Sequence, residues 1–245
     1  MRPAPAVLFL FALALLLFAL AGPIVAMLVT AAPSEVAGAF ASPATQAALR
    51  TSFAASLSAT AVSTLLGIPA GYWIARAPGR IGAPLLFILA LPLAFPPVAS
   101  GIVLLSALRD FPIPDTLAGV AIAEFFVSGS FVAIAAAAAF RALDPITAEA
   151  ARTLGVSEWS IFWNVELPSV APNVSAGIAF TWLRAIGEYG ATSIVAYHPT
   201  ALPVALYVAL SASGVRAALA LSYGFVVLAA LVLAATWVLR RRVVV

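Results

Sequence analysis

Between Pro3 and Ser34 the chain carries no charged residue, and five later stretches are nearly as apolar. A bilayer core about 30 Å thick needs about 20 apolar residues to cross it as a helix. Six stretches meet that length: residues 6–31, 53–75, 81–108, 116–140, 170–197 and 218–239. In lipid every backbone N–H and C=O must find its partner within the protein, which favours helices over open strands. The expectation is therefore an all-α integral membrane protein with six transmembrane helices. A signal-peptide core has only about 7–15 apolar residues, so the first stretch reads as a retained helix rather than a cleaved leader.

Composition agrees. The chain of 245 residues is 64% hydrophobic and 9% charged, against about 25% charged for a soluble domain. It reads as one transmembrane domain over residues 1–245. There is no cysteine, no lysine and one histidine, His198. That removes disulfides, thiolate metal sites and a P-loop lysine, and leaves little catalytic material. His198 has no second ligand nearby and reads as a loop residue. No enzyme activity, metal or cofactor is expected in this chain. The net charge of +3 comes from arginines near membrane ends, which points to topology and not to nucleic acid. With the N-terminus in the cytoplasm, Arg2, Arg76, Arg80, Arg141, Arg152 and Arg240–Arg242 fall inside, and only Arg50, Arg109 and Arg216 fall outside. Both termini are expected in the cytoplasm.

One long polar island interrupts the later spans, DPITAEAARTLGVSEWSIFWNVELPSVAP at 144–172. Asp144 followed by Pro145 suits a helix N-cap and first position. Gly155 suits a left-handed stop after Leu154, Ser157 can cap a second helix, and Pro168 falls near its expected end. Two such short helices have no core of their own, so they must lie on the membrane or dock into a partner. Glu149 and Arg152 share one face, with Ala150 and Ala151 keeping the helix slim. Trp159, Phe162 and Trp163 would anchor the base, at the membrane interface or against the body of the protein. The arginine count places this loop, about 141–169, in the cytoplasm.

Several membrane residues are candidates for a translocation path or gate. Ser52, Ser56, Thr60 and Thr64 recur every four residues, which serves either a polar path or close helix packing. Pro92, Pro96 and Pro97 predict a kink in the third span, flexing or static. Arg184 and Glu188 lie one turn apart in the fifth span, with Thr181 and Thr192 extending the stripe. They read as an internal ion pair or as a partly neutralised arginine on an anion path. Gly177, Gly187 and Gly190 would allow close helix contact. Glu124, in the fourth span, would repel an anion and is expected to make a structural hydrogen bond or pair. Residues 202–212 could form a short interfacial helix under a docked partner.

The spacing Glu149-Ala150-Ala151, three residues, Gly155, nine residues, Val165-x-Leu167-Pro168 resembles the EAA loop of importer-type ABC-transporter permeases. Val165 stands at the usual isoleucine. The run Leu183 to Tyr207 with Leu91 to Leu105 is similar to permeases of molybdate/tungstate importers, and sulfate permeases share its RAIGEYG-like element. The likeness covers about residues 50–239. It implies a type I importer architecture, a homodimer of this chain and two cytoplasmic ATPase chains that bind ATP and Mg. It implies a separate extracytoplasmic oxyanion-binding protein as well. It implies that Glu149, Ala150, Ala151, Arg152, Gly155, Leu167 and Pro168 form the ATPase-coupling loop, in the cell membrane of a bacterium or archaeon. Ser56, Thr60, Pro96, Pro97, Thr181, Arg184 and Glu188 are the path or gate candidates. The substrate would be molybdate or tungstate; the alternatives are a sulfate/thiosulfate permease and, in another class, a stand-alone secondary anion transporter.

Overall fold

The computed structural model describes the backbone of residues 3–243 and the side chains of residues 7–234. Arg2, and the side chains of Arg240–Arg242, which enter the orientation argument, lie outside the described residues. The regular structure of the described backbone is all helical, joined by short turns. α1 spans Pro3–Thr30, α2 Pro33–Ala41 and α3 Pro43–Arg76. α4, Gly79–Ala94, and α5, Pro97–Leu108, follow; then α6, Leu117–Ser128, and α7, Ser130–Arg141. α8, Pro145–Thr153, and α9, Glu158–Ile161, form the polar island, and a π-helical turn at Phe162–Glu166 leads into α10, Leu167–Ile186. α11, Gly190–Val195, α12, Leu202–Ser213, and α13, Val215–Val243, complete the chain.

Among the described residues four helices are long and apolar enough to cross a membrane: α1, α3, the nearly continuous α6–α7, and α13. The bent pair α4–α5 makes a fifth if it is counted as one span. The first, second, fourth and sixth expected spans thus each have a helix. α3 begins at Pro43, ten residues before the expected start, because Pro43 occupies its first turn and no breaker follows until Pro69.

The third and fifth expected spans differ from their sequence reading. Residues 81–108 are not one kinked helix but two, turned by 105° at Phe95–Pro96. A residue before proline is pushed out of the helical region. Phe95 precedes Pro96, and Pro96 precedes Pro97, so both adopt extended backbone, at ψ 137° and 136°. The fifth span starts earlier and stops earlier than 170–197. Its helix continues upward from α9 through the π-helical turn, and it ends at Ile186. Pro168 therefore does not end the second loop helix. The turn at 162–166 is one residue wider than an α-turn, with Leu167 N–H donating to Phe162 O, and a widened turn accommodates the missing proline donor. The helix ends at Gly187, and beyond it the Glu188 carboxylate accepts from the Ala191 N–H in the first turn of α11 at 2.8 Å.

α3 is the centre of the bundle and packs against α6, α7, α10 and α12. It lies against α7 with almost no side chain between them. A Cβ at Gly71 would sit 2.6 Å from Ala136 Cβ and 2.7 Å from Ala133 O. Gly67 meets Val132 and Ala133, so α3 and α7 run parallel in register. Small residues at such contacts let dispersion and backbone proximity replace the hydrophobic effect, which is weak between helices in lipid. Gly71→Val is expected to lower the thermal midpoint of the purified protein, consistent with an overpacking cost of about 1–3 kcal/mol. Gly79→Ala, where a Cβ meets nothing within 4 Å, is the matched control and leaves it unchanged.

Candidate coupling loop and polar centre

The polar island is a built element. The Asp144 carboxylate accepts from the Ile146 N–H at 2.9 Å and caps α8, with Pro145 at its first position. α8 ends in a paired hydrogen-bond stop, Val156 N–H to Ala151 O at 3.2 Å and Gly155 N–H to Arg152 O at 2.9 Å. That stop places Gly155 at φ +78°, a conformation that glycine adopts without a Cβ clash. Ser157 Oγ accepts from the Ser160 N–H at 3.3 Å and caps α9.

Arg152, which shares a face with Glu149, is engaged within the loop itself. Its guanidinium makes a two-pronged contact with Glu158, Nε to Oε1 at 2.5 Å and Nη2 to Oε2 at 2.9 Å. It therefore clamps α8 to α9. Glu149 is exposed, as are Ala150 and Gly155, while Leu167 is half-buried and Pro168 exposed. Two apolar side chains also face out of the element, Ile146 and Leu154, the latter 82% exposed.

The base of the element is held by Phe162, one of the three aromatics expected there, and by Arg76, Tyr72 and Glu166, for which the sequence suggested no such role. Arg76, at the end of α3, forms an ion pair with the buried Glu166. Its guanidinium lies 3.6 Å over the Tyr72 ring. Tyr72 meets both Phe140 and Phe162 edge-on, at 5.1 and 4.8 Å. Phe162 thus anchors the loop to the protein body, whereas Trp159 and Trp163 remain largely exposed. Arg141 also donates to Ile74 O at 3.3 Å. A cavity of about 440 Å³ separates α8 from these residues. The signal available in the sequence was Glu166, an acid two residues before Pro168 in a largely apolar stretch, needing a buried partner.

The second group of candidates lies inside the bundle. Ser52 Oγ accepts from the Leu202 N–H at 2.8 Å and seats α12 on α3. Ser56 Oγ accepts from Trp182 Nε1 at 3.0 Å. Thr60 is buried with its hydroxyl unpaired. Thr181 is buried and donates to Gly177 O at 3.0 Å in its own helix. Arg184 and Glu188 form the i,i+4 ion pair, with the glutamate almost fully buried and the arginine about one-third exposed. Thr192 does not extend the Thr181 stripe, because the helix breaks between them. Gly177 and Gly190 make close contacts, to Ala135 and Pro97. Gly187 does not: it is the break itself. Pro96 and Pro97 stand exposed at the elbow between α4 and α5.

Glu124 departs from its expectation. It is fully buried in α6, and neither carboxylate oxygen has a hydrogen-bond partner. Leaving such a group unsatisfied costs at least about 1–3 kcal/mol. At the opposite end of the bundle from the coupling loop, Asp115 Oδ1 accepts from the Tyr197 N–H at 2.9 Å and joins the α5–α6 and α11–α12 connections.

Residues 67–244 match the family described as binding-protein-dependent transport system inner membrane component. The chain belongs to this family. It is 33% identical over 204 residues to a probable molybdenum ABC transporter permease protein of Haloferax volcanii, covering 80% of this chain and 76% of that one. It is 36% identical over 172 residues to the molybdate/tungstate transport system permease protein WtpB of Thermococcus kodakarensis, covering 69% and 68%. A sulfate transport system permease protein of Synechocystis is 35% identical over 164 residues, covering 61% and 59%. The fold resembles that of a bacterial ABC transporter that imports alginate, at TM-score 0.68 and 16% identity, covering 97% and 95%. It also resembles the inward-facing MetNI methionine ABC transporter, at TM-score 0.67 and 16% identity, covering 80% and 94%. The chain is thus a multi-pass membrane component of a transport system.

The Arg152–Glu158 clamp carries a pH dependence. The hydrogen bond to Arg152 holds the Glu158 carboxyl below its ordinary range, and the same bond raises Arg152. A lowered acid stabilises the folded loop above its unfolded pKa and loses that contribution as pH falls through its folded pKa. Amide exchange across residues 146–161 is therefore expected to be slow and constant near neutral pH. It quickens as pH drops through and below the usual glutamate range, once intrinsic acid exchange is corrected for. Glu158→Gln removes that dependence.

Proposed function

We propose that this chain is the membrane-spanning subunit of an ATP-driven importer for tetrahedral oxyanions, molybdate and tungstate foremost. The relatives named for molybdenum and for molybdate/tungstate support that substrate. The observation that carries the importer reading is the capped, Schellman-stopped α8, clamped to α9 and rooted through Glu166 in Arg76. A protruding helix with exposed Ile146, Glu149 and Leu154 has the form of a plug for a partner's cleft. That partner is a pair of cytoplasmic ATPase subunits, which bind ATP and Mg; this chain holds no cofactor. An extracytoplasmic binding protein delivers the oxyanion to the far end.

The chain acts as two copies with six spans each, α4–α5 and α9–α11 supplying the third and fifth, and both termini lie in the cytoplasm. α1 supports the dimer: it is apolar along its length, none of its spanning window is buried by this chain, and Tyr223 ties its outer end to the bundle through Met27 O and Leu28 O. ATP-driven closure of the ATPases pushes on α8, and the stiff path through the π-helical turn moves α10. The elbow at Pro96–Pro97 against Gly190 is the gate region, and Ser56, Thr60, Thr181, Arg184 and Glu188 border the path. Transport is then alternation between two states whose populations ATP biases.

The test is reconstitution with the ATPase and binding protein encoded alongside. Native mass spectrometry should give two copies of this chain per complex. Vesicles should take up labelled molybdate with ATP, unlabelled tungstate should compete, and sulfate should compete weakly. Stronger competition by sulfate would assign the chain to the sulfate group, and ATP-independent uptake would make it a secondary transporter.

Gly155→Val isolates the coupling step. A β-branched residue at φ +78° is strained by at least about 1–2 kcal/mol, and nothing within 4 Å would crowd it otherwise. The variant should insert and dimerise normally, bind the ATPase more weakly and lose most uptake. Gly155→Asn should keep more of both.

A further inference from the structure

The polar loop joins the membrane helices at the π-helical turn, and one turn of α3 grips both ends of it. Tyr72 stands edge-on to Phe162, the first residue of the π-helical turn, at 4.8 Å. Arg76 pairs with Glu166, the last residue of that turn. The Arg76 guanidinium is itself fixed on α3: it lies 3.6 Å over the Tyr72 ring, and its Nη1 donates to Tyr72 O at 3.3 Å. Glu166 is 5% exposed. Removing its partner would strand a buried carboxylate, which is costly, so this contact resists opening.

The load path from α8 into the bundle runs through this point. A cavity of about 440 Å³ separates α8 from Arg76, Phe140 and Arg141, so α8 does not rest on α3 directly. Arg152 and Glu158 tie α8 to α9, and α9 runs straight into the π-helical turn. Beyond the turn α3 and α10 share an apolar cluster that includes Ile68, Ala75, Val170 and Val174. Such contact is non-directional and lets helices slip past one another. The ion pair and the ring edge are directional, and they hold α3 in register with the turn. Among the described residues no other ion pair joins α3 to the loop or its stem.

We propose that Arg76 is a positioning residue that makes α3 a second output of the coupling loop. A push on α8 then moves α10 through the continuous helix and α3 through Arg76 and Tyr72, as one body. α3 carries the movement on, because it lies in close contact with α7 at Gly67 and Gly71 and holds α12 near its far end, where Ser52 accepts from the Leu202 N–H. Without the joint the same push bends the stem and leaves α3 behind. This inference rests on the importer reading and deepens it, by linking ATP hydrolysis to substrate movement at a named side chain.

The full chain reconstituted in vesicles with its ATPase and binding protein provides the test, with uptake of labelled molybdate and ATP hydrolysis measured on the same preparation. Arg76→Gln combined with Glu166→Gln removes the pair without stranding a charge. This double variant should co-purify with the ATPase and go on hydrolysing ATP. Its molybdate uptake per ATP should fall at least about threefold, within the range for residues along a coupling route. A brace with no part in coupling would lower uptake and hydrolysis in proportion, or lower neither. An unchanged ratio beside a transporting native complex would therefore overturn this inference alone. A native complex without ATP-dependent uptake would overturn the importer reading and this inference with it. Arg76→Lys keeps a cation for Glu166 but has no planar group to lie over Tyr72. It decides the matter if the double variant does not assemble: a ratio below native supports the joint, and a native ratio overturns it.

Discussion

Lipid cannot hydrogen-bond a backbone, and each irregular feature of this fold answers to that constraint. Two helices are broken within the apolar part of the chain, at Phe95–Pro96 and at Gly187–Tyr189. The two breaks adjoin: a Cβ at Gly190 would stand 2.7 Å from Pro97, and one at Gly101 would stand 2.8 Å from Ile194. The two breaks therefore pack on one another, although Phe95, Pro96 and Pro97 keep exposed surface. The freed groups are met locally, as where Glu188 accepts from Ala191 N–H and Ser100 N–H donates to Pro96 O. α5 and α11 follow as a paired unit of short helices.

Around this pair the bundle is assembled through small residues rather than large ones. α3 meets α7 through Gly67 and Gly71 and meets α10 through Ser56 and Trp182. Its larger side chains, among them Phe53, Leu57, Leu65 and Leu66, point outward. This is the reverse of a soluble core, where bulk is inside. Within this packing Ser52 accepts from the Leu202 N–H and Ser56 from Trp182, while the Thr60 hydroxyl has no partner among the described residues. Arg184 and Glu188 are likewise spent first on each other.

The polar island was legible almost residue by residue. Asp144, Gly155 and Ser157 have the capping roles their types and spacing suggest, because caps are decided by local backbone geometry. The long apolar helices were legible too, since length and composition alone define them. What the sequence concealed was non-local. Arg76 gave no sign that it would stack on Tyr72 and pair with Glu166, ninety positions away. Tandem prolines announced a bend but not a turn of 105°, because the angle depends on what packs inside the elbow. Pro168 looked like a terminator by the ordinary rule, and the π-helical turn that admits it has no sequence signature of its own. Glu124 was expected to find a partner, and only the packed helices reveal that no described residue offers its carboxylate one.

The π-helical turn has a rotational meaning. An α-helix advances about 100° per residue, so one residue absorbed without advancing the ladder swings everything above it by about that angle. α9 belongs to the coupling element, and α10 carries Thr181 and Arg184. With an uninterrupted α-helix from Glu158 to Ile186, the face that holds Gly177 against Ala135 would instead carry its neighbours, and Arg184 would point a quarter-turn away. The single wide turn at 162–166 thus sets the phase between the α8–α9 element and the helix that carries Thr181 and Arg184, as keyed teeth set a camshaft.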